Sequence, residues 1–214
     1  MKPRLLVTGF GPFPGVATNP SAAVARLVAA SPRWRRLGVE ARALVLDTAY
    51  ASIEGVLAPA LAEGDLDAVL MIGVAGRAKN IRVERRAANR ASLLSPDAQG
   101  FRRTGLTLAP GPAHRSSAVA AAPVLARLSR HGLPCRASRD AGRYLCNAAY
   151  FAALGAPVPV LFLHIPKPPP KRPKRPGRKP PARRARGGWP ERLAAAFVDV
   201  GIDLLAARRR ASGR

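Results

Sequence analysis

A chain of 214 residues, 48% of them apolar, is long enough to bury one sizeable core and too apolar to be disordered throughout, so one domain is the default. Two cysteines exclude a disulfide framework. No stretch approaches the roughly 18 uninterrupted apolar residues of a membrane span, and the run after Met1 is too short for a signal peptide, so the chain reads as cytoplasmic with no membrane partner.

Arg4 to Thr8 is a short apolar run and predicts a central strand. The loop Gly9-Phe-Gly-Pro-Phe-Pro-Gly15 follows, and Asn19-Pro20-Ser21 opens a helix to about Ala30, with Asn19 as N-cap and Pro20 at the first helical position. Val39 to Leu46 predicts a second strand, Tyr50 to Leu61 a helix ended near Gly64, and Ala68 to Gly73 a buried strand. Ile81 to Asn89 alternates imperfectly, as an outer strand would. Ser116 to Arg130 predicts a helix closed by His131-Gly132. His131 serves there as a cap and dipole partner, and His114 lies in a solvated polar loop. Helices alternating with apolar strands give the α/β class, with helices on both faces of a largely parallel sheet.

Net charge is +24, and Lys167 to Arg186 holds ten Lys and Arg without one acid. Such charge favours polyanions through counterion release. Lys167 to Gly188 is almost wholly Pro, Lys, Arg and Gly, a composition that cannot pack a core, so 167–188 reads as a disordered basic insert after a body spanning 1–166. It either stays a solvated loop or binds polyanions nonspecifically, since it has no interleaved aromatics for base stacking. Order returns at 189–210, where Trp189, Leu193, Phe197, Val200 and Leu204 share one helical face that would pack back on the body.

The chemistry-bearing residues are Cys146 and His164. Ser138 to Asn147 reads as a turn feeding a helix with Cys146 in its first turn, where free N–H groups and the positive dipole end favour a thiolate. Val158 to His164 reads as a buried strand with the imidazole at its end. A thiol that begins a helix and an imidazole that ends a strand suit cysteine–histidine catalysis. The plain alternatives are a buried structural thiol and a satisfied histidine, and Cys135 is read as structural. Glu84, taken alone, is a surface carboxylate beside Arg82, Arg85 and Arg86. The glycine loop lacks the Gly-x-Gly-x-x-Gly spacing of a dinucleotide site, and its prolines bar a helix from starting on the glycines. It is either a rigid pocket wall or a structural turn. Nothing in the chain implies a metal or cofactor.

Four collinear stretches carry a family resemblance. Thr8-Gly9-Phe10-Gly11-Pro12-Phe13 with Asn19-Pro20-Ser21 resembles the N-terminal signature of the type I pyroglutamyl peptidases. Gly73-Val-Ala-Gly76-Arg77 is similar to their Gly-Gln-Ala-Gly-Gly-Arg. Glu84-Arg85-Arg86-Ala87-Ala88-Asn89, with Pro96-Asp97 after it, is similar to their Glu-Arg-Val-Ala-Ile-Asn. Ala141-Gly142-Arg-Tyr-Leu-Cys146-Asn147 and Leu163-His164-Ile165-Pro166 resemble the segments bearing the family's cysteine and histidine. The resemblance implies a three-layer α/β/α sandwich and a cysteine exopeptidase that removes an N-terminal pyroglutamyl residue from peptides through a thioester. It puts nucleophile, base and orienting acid on Cys146, His164 and Glu84, and a substrate pocket on Phe10, Phe13, Gly73, Val74 and Tyr144. It also implies a homo-oligomer.

The chain departs from the family pattern at several places. Val74 stands where Gln is usual, Leu94 where Arg is, and Val83 where Pro precedes the Glu. One Gly before Arg77 is missing, and the basic insert has no counterpart in typical members. Two other functions stay open on the sequence: a catalytically weakened relative that binds polyanions, and a cysteine hydrolase of different acyl specificity.

Overall fold

The computed structural model describes residues 2–13, 17–170 and 188–212. The expectation of a disordered insert falls mostly on 171–187, which lie outside the described residues.

A six-stranded mixed sheet forms the middle layer. In chain order the elements that build or flank it begin with β1 (Arg4–Phe10), α1 (Pro20–Ala29), α2 (Pro32–Arg36) and β2 (Glu40–Leu46). A π-helical turn, Ile53–Leu57, then runs into α3 (Ala58–Ala62), followed by β3 (Ala68–Val74), β4 (Ile81–Glu84), β5 (Arg86–Ala88) and β6 (His114–Ser116). The chain ends with α4 (Ala121–Arg130), β7 (Cys135–Ser138), α5 (Leu145–Ala153), β8 (Val160–Ile165) and α6 (Trp189–Ser212). Strand order is β2-β1-β3-β8-β4-β7, while β5 and β6 form a separate ribbon. The first four strands of that order are parallel, β4 runs antiparallel to β8, and β7 is parallel to β4.

Alternation along the buried strands splits the core in two. Leu5, Val7, Leu70, Ile72, Leu161, Leu163 and Ile165 pack with α1, α4 and α6 on one face. Leu6, Phe10, Val69, Met71 and Phe162 pack with α3 and α5 on the other. The central strands are therefore apolar on both faces, which is why they read as unbroken apolar runs. Phe197, Val200 and Leu204 of α6 are buried in the first core, and Trp189 packs at its border.

The N-terminal signature has a packing explanation. Ser21 N–H donates to Asn19 Oδ1 (3.1 Å), and Phe10 N–H donates to Ser21 Oγ (3.0 Å), so α1 starts against the end of β1. A Cβ on Gly9 would lie 2.7 Å from the Ser21 carbonyl oxygen, so no larger residue fits between strand and helix.

Three expectations need correction. The segment from Ile81 is no outer strand: β4 lies between β8 and β7, and Arg85 breaks the alternation by leaving the sheet before β5. The helix expected from Ser116 starts five residues later, because Ser117 Oγ donates to Val160 O (2.6 Å) and accepts from Val119 N–H (3.1 Å), pinning this stretch to β8 in a non-helical turn. His114, expected in a loop, belongs to β6, though it is exposed. His131 does end α4, and its Nε2 lies 2.7 Å from Asp199 of α6.

Phe197→Ala is expected to destabilise the protein by about 3–5 kcal/mol, read as a lower urea midpoint at unchanged slope, because it opens a cavity in the larger core. Leu94→Ala, at a residue 85% exposed, should stay within about 0.5 kcal/mol of the parent.

Candidate active site

Cys146 is the second residue of α5, whose N-cap Tyr144 is extended and makes no side-chain capping bond. The first-turn N–H groups are thus left uncapped by the side chain that usually satisfies one of them. The turn before the helix depends on Gly142, at φ +86°, whose N–H donates to Asp140 Oδ1 (3.0 Å). Tyr144 OH donates to Pro96 O (2.7 Å), and Asp97 beside it accepts from Tyr50 N–H (3.0 Å) and Phe101 N–H (2.9 Å). Fully buried Asn147 accepts from Ala88 N–H (2.8 Å) and donates to Ala88 O (2.8 Å) and Arg90 O (3.0 Å). The residues on either side of Cys146 are therefore clamped to the chain between β5 and the Pro96-Asp97 turn.

Below the thiol, β3 ends in Gly73-Val74. A Cβ on Gly73 would sit 3.0 Å from Cys146 Sγ and 2.7 Å from the Phe162 ring, so the glycine is what lets the helix approach the sheet. Gly73 is in register with His164 on parallel β8. His164 is 5% exposed, and its ring packs on Phe162 at 4.7 Å between centroids. Its Nδ1–H donates to Glu84 Oε1 at 2.8 Å. Glu84 is fully buried, not the surface carboxylate that its arginine neighbours suggest. Tyr150 of α5 donates its OH to the Glu84 carbonyl (2.9 Å), tying β4 to the helix that carries the thiol.

Burial disfavours the His164 imidazolium. The Cys146 thiol and the hydrogen-bonded Glu84 carboxylate beside the ring outweigh that effect and raise the group from 6.5 to about 9. A thiol and a carboxylate thus act on one imidazole from two sides. Burial, reinforced by the Asp97 charge, also pushes the Tyr144 phenol up to about 12, so it stays neutral and a donor.

These groups open into a cleft of about 510 Å³. Phe10, Phe13, Val74, Tyr144, Cys146 and His164 line it, so the structure brings together the residues singled out from the sequence, with Gly73 beneath and Glu84 behind. Leu94 is not among the lining residues and faces solvent. The sequence reading missed Arg82 and Lys167, which also line the cleft. Arg82 was detectable, because two residues before Glu84 in a strand puts it on the same face. A larger depression of about 740 Å³ lies at the amino ends of β1 and β2 around Arg4 and Trp34, and it holds no cysteine or histidine. Among the described residues no cluster of three His, Cys, Asp or Glu could hold a metal ion, and no helix is long and apolar enough to cross a membrane.

A thiol, an imidazole and a carboxylate in series, at the carboxyl edge of a mostly parallel sheet, form the arrangement of a cysteine hydrolase of α/β fold. The family model for pyroglutamyl peptidase matches residues 3–183. The chain is 32% identical over 181 residues to a pyrrolidone-carboxylate peptidase of Gloeobacter violaceus, covering 82% of this chain and 87% of that one. It is 34% identical over 151 residues to that of Clavibacter michiganensis, covering 70% and 69%. The crystal structure of pyroglutamyl peptidase I from Bacillus amyloliquefaciens superposes with a TM-score of 0.78 at 25% identity, covering 97% of this chain and 98% of the other. The pyrrolidone carboxyl peptidase of Thermus thermophilus gives 0.74 at 31% identity, covering 94% and 99%. The chain belongs to the pyroglutamyl peptidase family.

Because the folded His164 value is raised above its unfolded 6.5, its contribution to stability is complete below that pH and is lost as pH rises through about 9. The melting temperature should therefore fall between pH 6.5 and 9, and the fall should be shallower in His164→Gln. Parallel profiles for the two proteins would contradict the ion pair.

Proposed function

We propose that this protein is a cysteine exopeptidase that removes an N-terminal pyroglutamyl residue from peptides, with Cys146 as nucleophile, His164 as acid and base, and Glu84 as the group that orients His164. The observation that carries the reading is the buried His164–Glu84 pair sharing with Cys146 a cleft walled by Phe10 and Phe13, in a chain of this family.

The Cys146 thiolate attacks the pyroglutamyl carbonyl carbon, forming a C–S bond and placing negative charge on the carbonyl oxygen. First-turn N–H groups of α5, left without a side-chain cap, can receive that oxyanion. Collapse breaks the C–N bond, and the His164 imidazolium gives its proton to the departing amine. Water then attacks the thioester while neutral His164 takes its proton, releasing pyroglutamate and restoring the thiolate. Glu84 holds the Nδ1–H and stabilises the imidazolium throughout.

Phe10 and Phe13 would flank the uncharged lactam ring, with Val74 and Tyr144 along the same cleft and Gly73 leaving room at the floor. An apolar wall disfavours the two charges of a free N-terminal glutamate. A pyroglutamyl fluorogenic amide should be hydrolysed with kcat/KM at least about tenfold above the glutamyl amide. Comparable values would overturn the lactam pocket.

The Cys146→Ser protein should lose at least about a thousandfold in kcat, and iodoacetamide should label Cys146 before Cys135, ending turnover as it does. Full activity in the serine variant would sink the assignment.

The pH profile carries a signed prediction. The imidazolium that protonates the leaving amine survives up to about pH 9, so kcat/KM should fall as pH rises through that value. Glu84→Gln removes a charge that holds the proton on, so the alkaline limb should move to lower pH, with kcat/KM reduced by roughly a hundredfold. An unmoved limb would mean that Glu84 does not act on His164.

A further inference from the structure

Four cationic side chains line the cleft: Arg77, Arg82, Arg143 and Lys167. The single acid in that lining, Asp140, already accepts the Gly142 N–H through Oδ1. None of the four cations makes an ion pair among the described residues, in a chain where most other acids are paired to arginine or histidine.

Arg82 has the most constrained position. It stands directly opposite His164 in the antiparallel β4–β8 ladder. Opposite residues of such a pair project from the same face with their Cβ atoms roughly 5 Å apart. Arg82 therefore leaves the sheet beside the imidazole, half-buried, and its Nε is buried without a hydrogen-bond partner. A buried donor left unpaired in the free protein gains when a ligand supplies the acceptor.

Sheet order says which part of a substrate would meet it. Across the carboxyl edge come Phe10 on β1, Gly73 under the thiol on β3, His164 on β8 and Arg82 on β4. With the lactam ring held at Phe10 and Phe13, the scissile bond lies between Cys146 and His164, and the departing amine continues toward β4. The first residue beyond the scissile bond then lies at Arg82, with the exposed Arg77, Arg143 and Lys167 around the rim.

Resting on the peptidase reading above, we propose that Arg82 selects pyroglutamyl peptides carrying a carboxylate on the residue that follows the lactam. A guanidinium presents paired donors suited to a carboxylate, and the rim cations add to the field that draws it in. The carboxylate is either the side chain of Asp or Glu or, in a dipeptide, the chain terminus, and the two sources can be separated.

The test compares kcat/KM at low ionic strength for pyroglutamyl-Asp-amide, pyroglutamyl-Asn-amide and pyroglutamyl-Asn free acid. Either acidic substrate should exceed the neutral amide by about five- to tenfold, and the larger excess identifies the source. In Arg82→Gln that excess should shrink to within about twofold, while Lys167→Gln should remove a smaller part of it. Salt should erode the rim contribution more than that of half-buried Arg82. Ratios near one for both acidic substrates, or an excess unchanged in Arg82→Gln, would overturn the proposal, as would an equal loss on all three substrates in that variant. Hydrolysis of none of them by the parent protein would overturn the peptidase reading alone. Calorimetric binding of the same three compounds to Cys146→Ser then decides the selectivity: tighter acidic ligands support it and equal affinities refute it.

Discussion

The hydrogen bond between Glu84 and His164 joins two residues 80 positions apart in the chain, both withdrawn from water. A carboxylate this deeply buried is tolerable only because an imidazolium faces it, and removing one partner of such a pair typically destabilises by about 3–5 kcal/mol. The pair exists because β4 runs against β8. Reversal brings the start of β4 to the carboxyl edge of the parallel strands, where ligands meet an open α/β sheet. Arg82 and Glu84 then share one face, the first at the cleft and the second behind the ring.

The thiol reaches the same imidazole through a different device. Helix propensity alone does not select the position of Cys146. It is set by the buried Asn147 gripping the end of β5 and the chain just after it, by Tyr144 fastened to Pro96, and by the empty space above Gly73. These constraints come from three separate segments, so the reacting side chains are held by packing and backbone hydrogen bonds rather than by contacts with each other alone. A thiol held in this way would lose little entropy on reaching an attack geometry. Val74 lines the cleft wall and takes part in none of these supports.

What could be read from the sequence divides along physical lines. The start of α1 was legible because Asn19, Pro20 and Ser21 act on their own backbone, and the buried strands were legible because they are apolar on both faces. Cys146 and His164 were legible for the same local reason, one after a glycine turn and one at the end of an apolar run. The short α2 carries an equally local signal, Ser31 as N-cap before Pro32, which the reading passed over. Glu84 could not be found from its neighbours. Three arginines surround it in sequence, yet its partner lies on another strand, and only the family resemblance pointed to it. The late start of α4 was hidden for the same kind of reason, since Ser117 is bonded to β8 rather than to its own helix. Long-range pairing is where local propensity loses.

The central claim is that Cys146 carries the acyl group while His164, held by Glu84, moves the proton. Acid quenching during turnover of a pyroglutamyl ester, followed by peptide mapping under conditions that preserve thioesters, tests it most directly. The account predicts a mass increase of one pyroglutamyl group on the peptide containing Cys146, absent from Cys146→Ser and persisting longer in Glu84→Gln, where water attack is slowed. Turnover with no adduct on that peptide, or an adduct on any other residue, would contradict it.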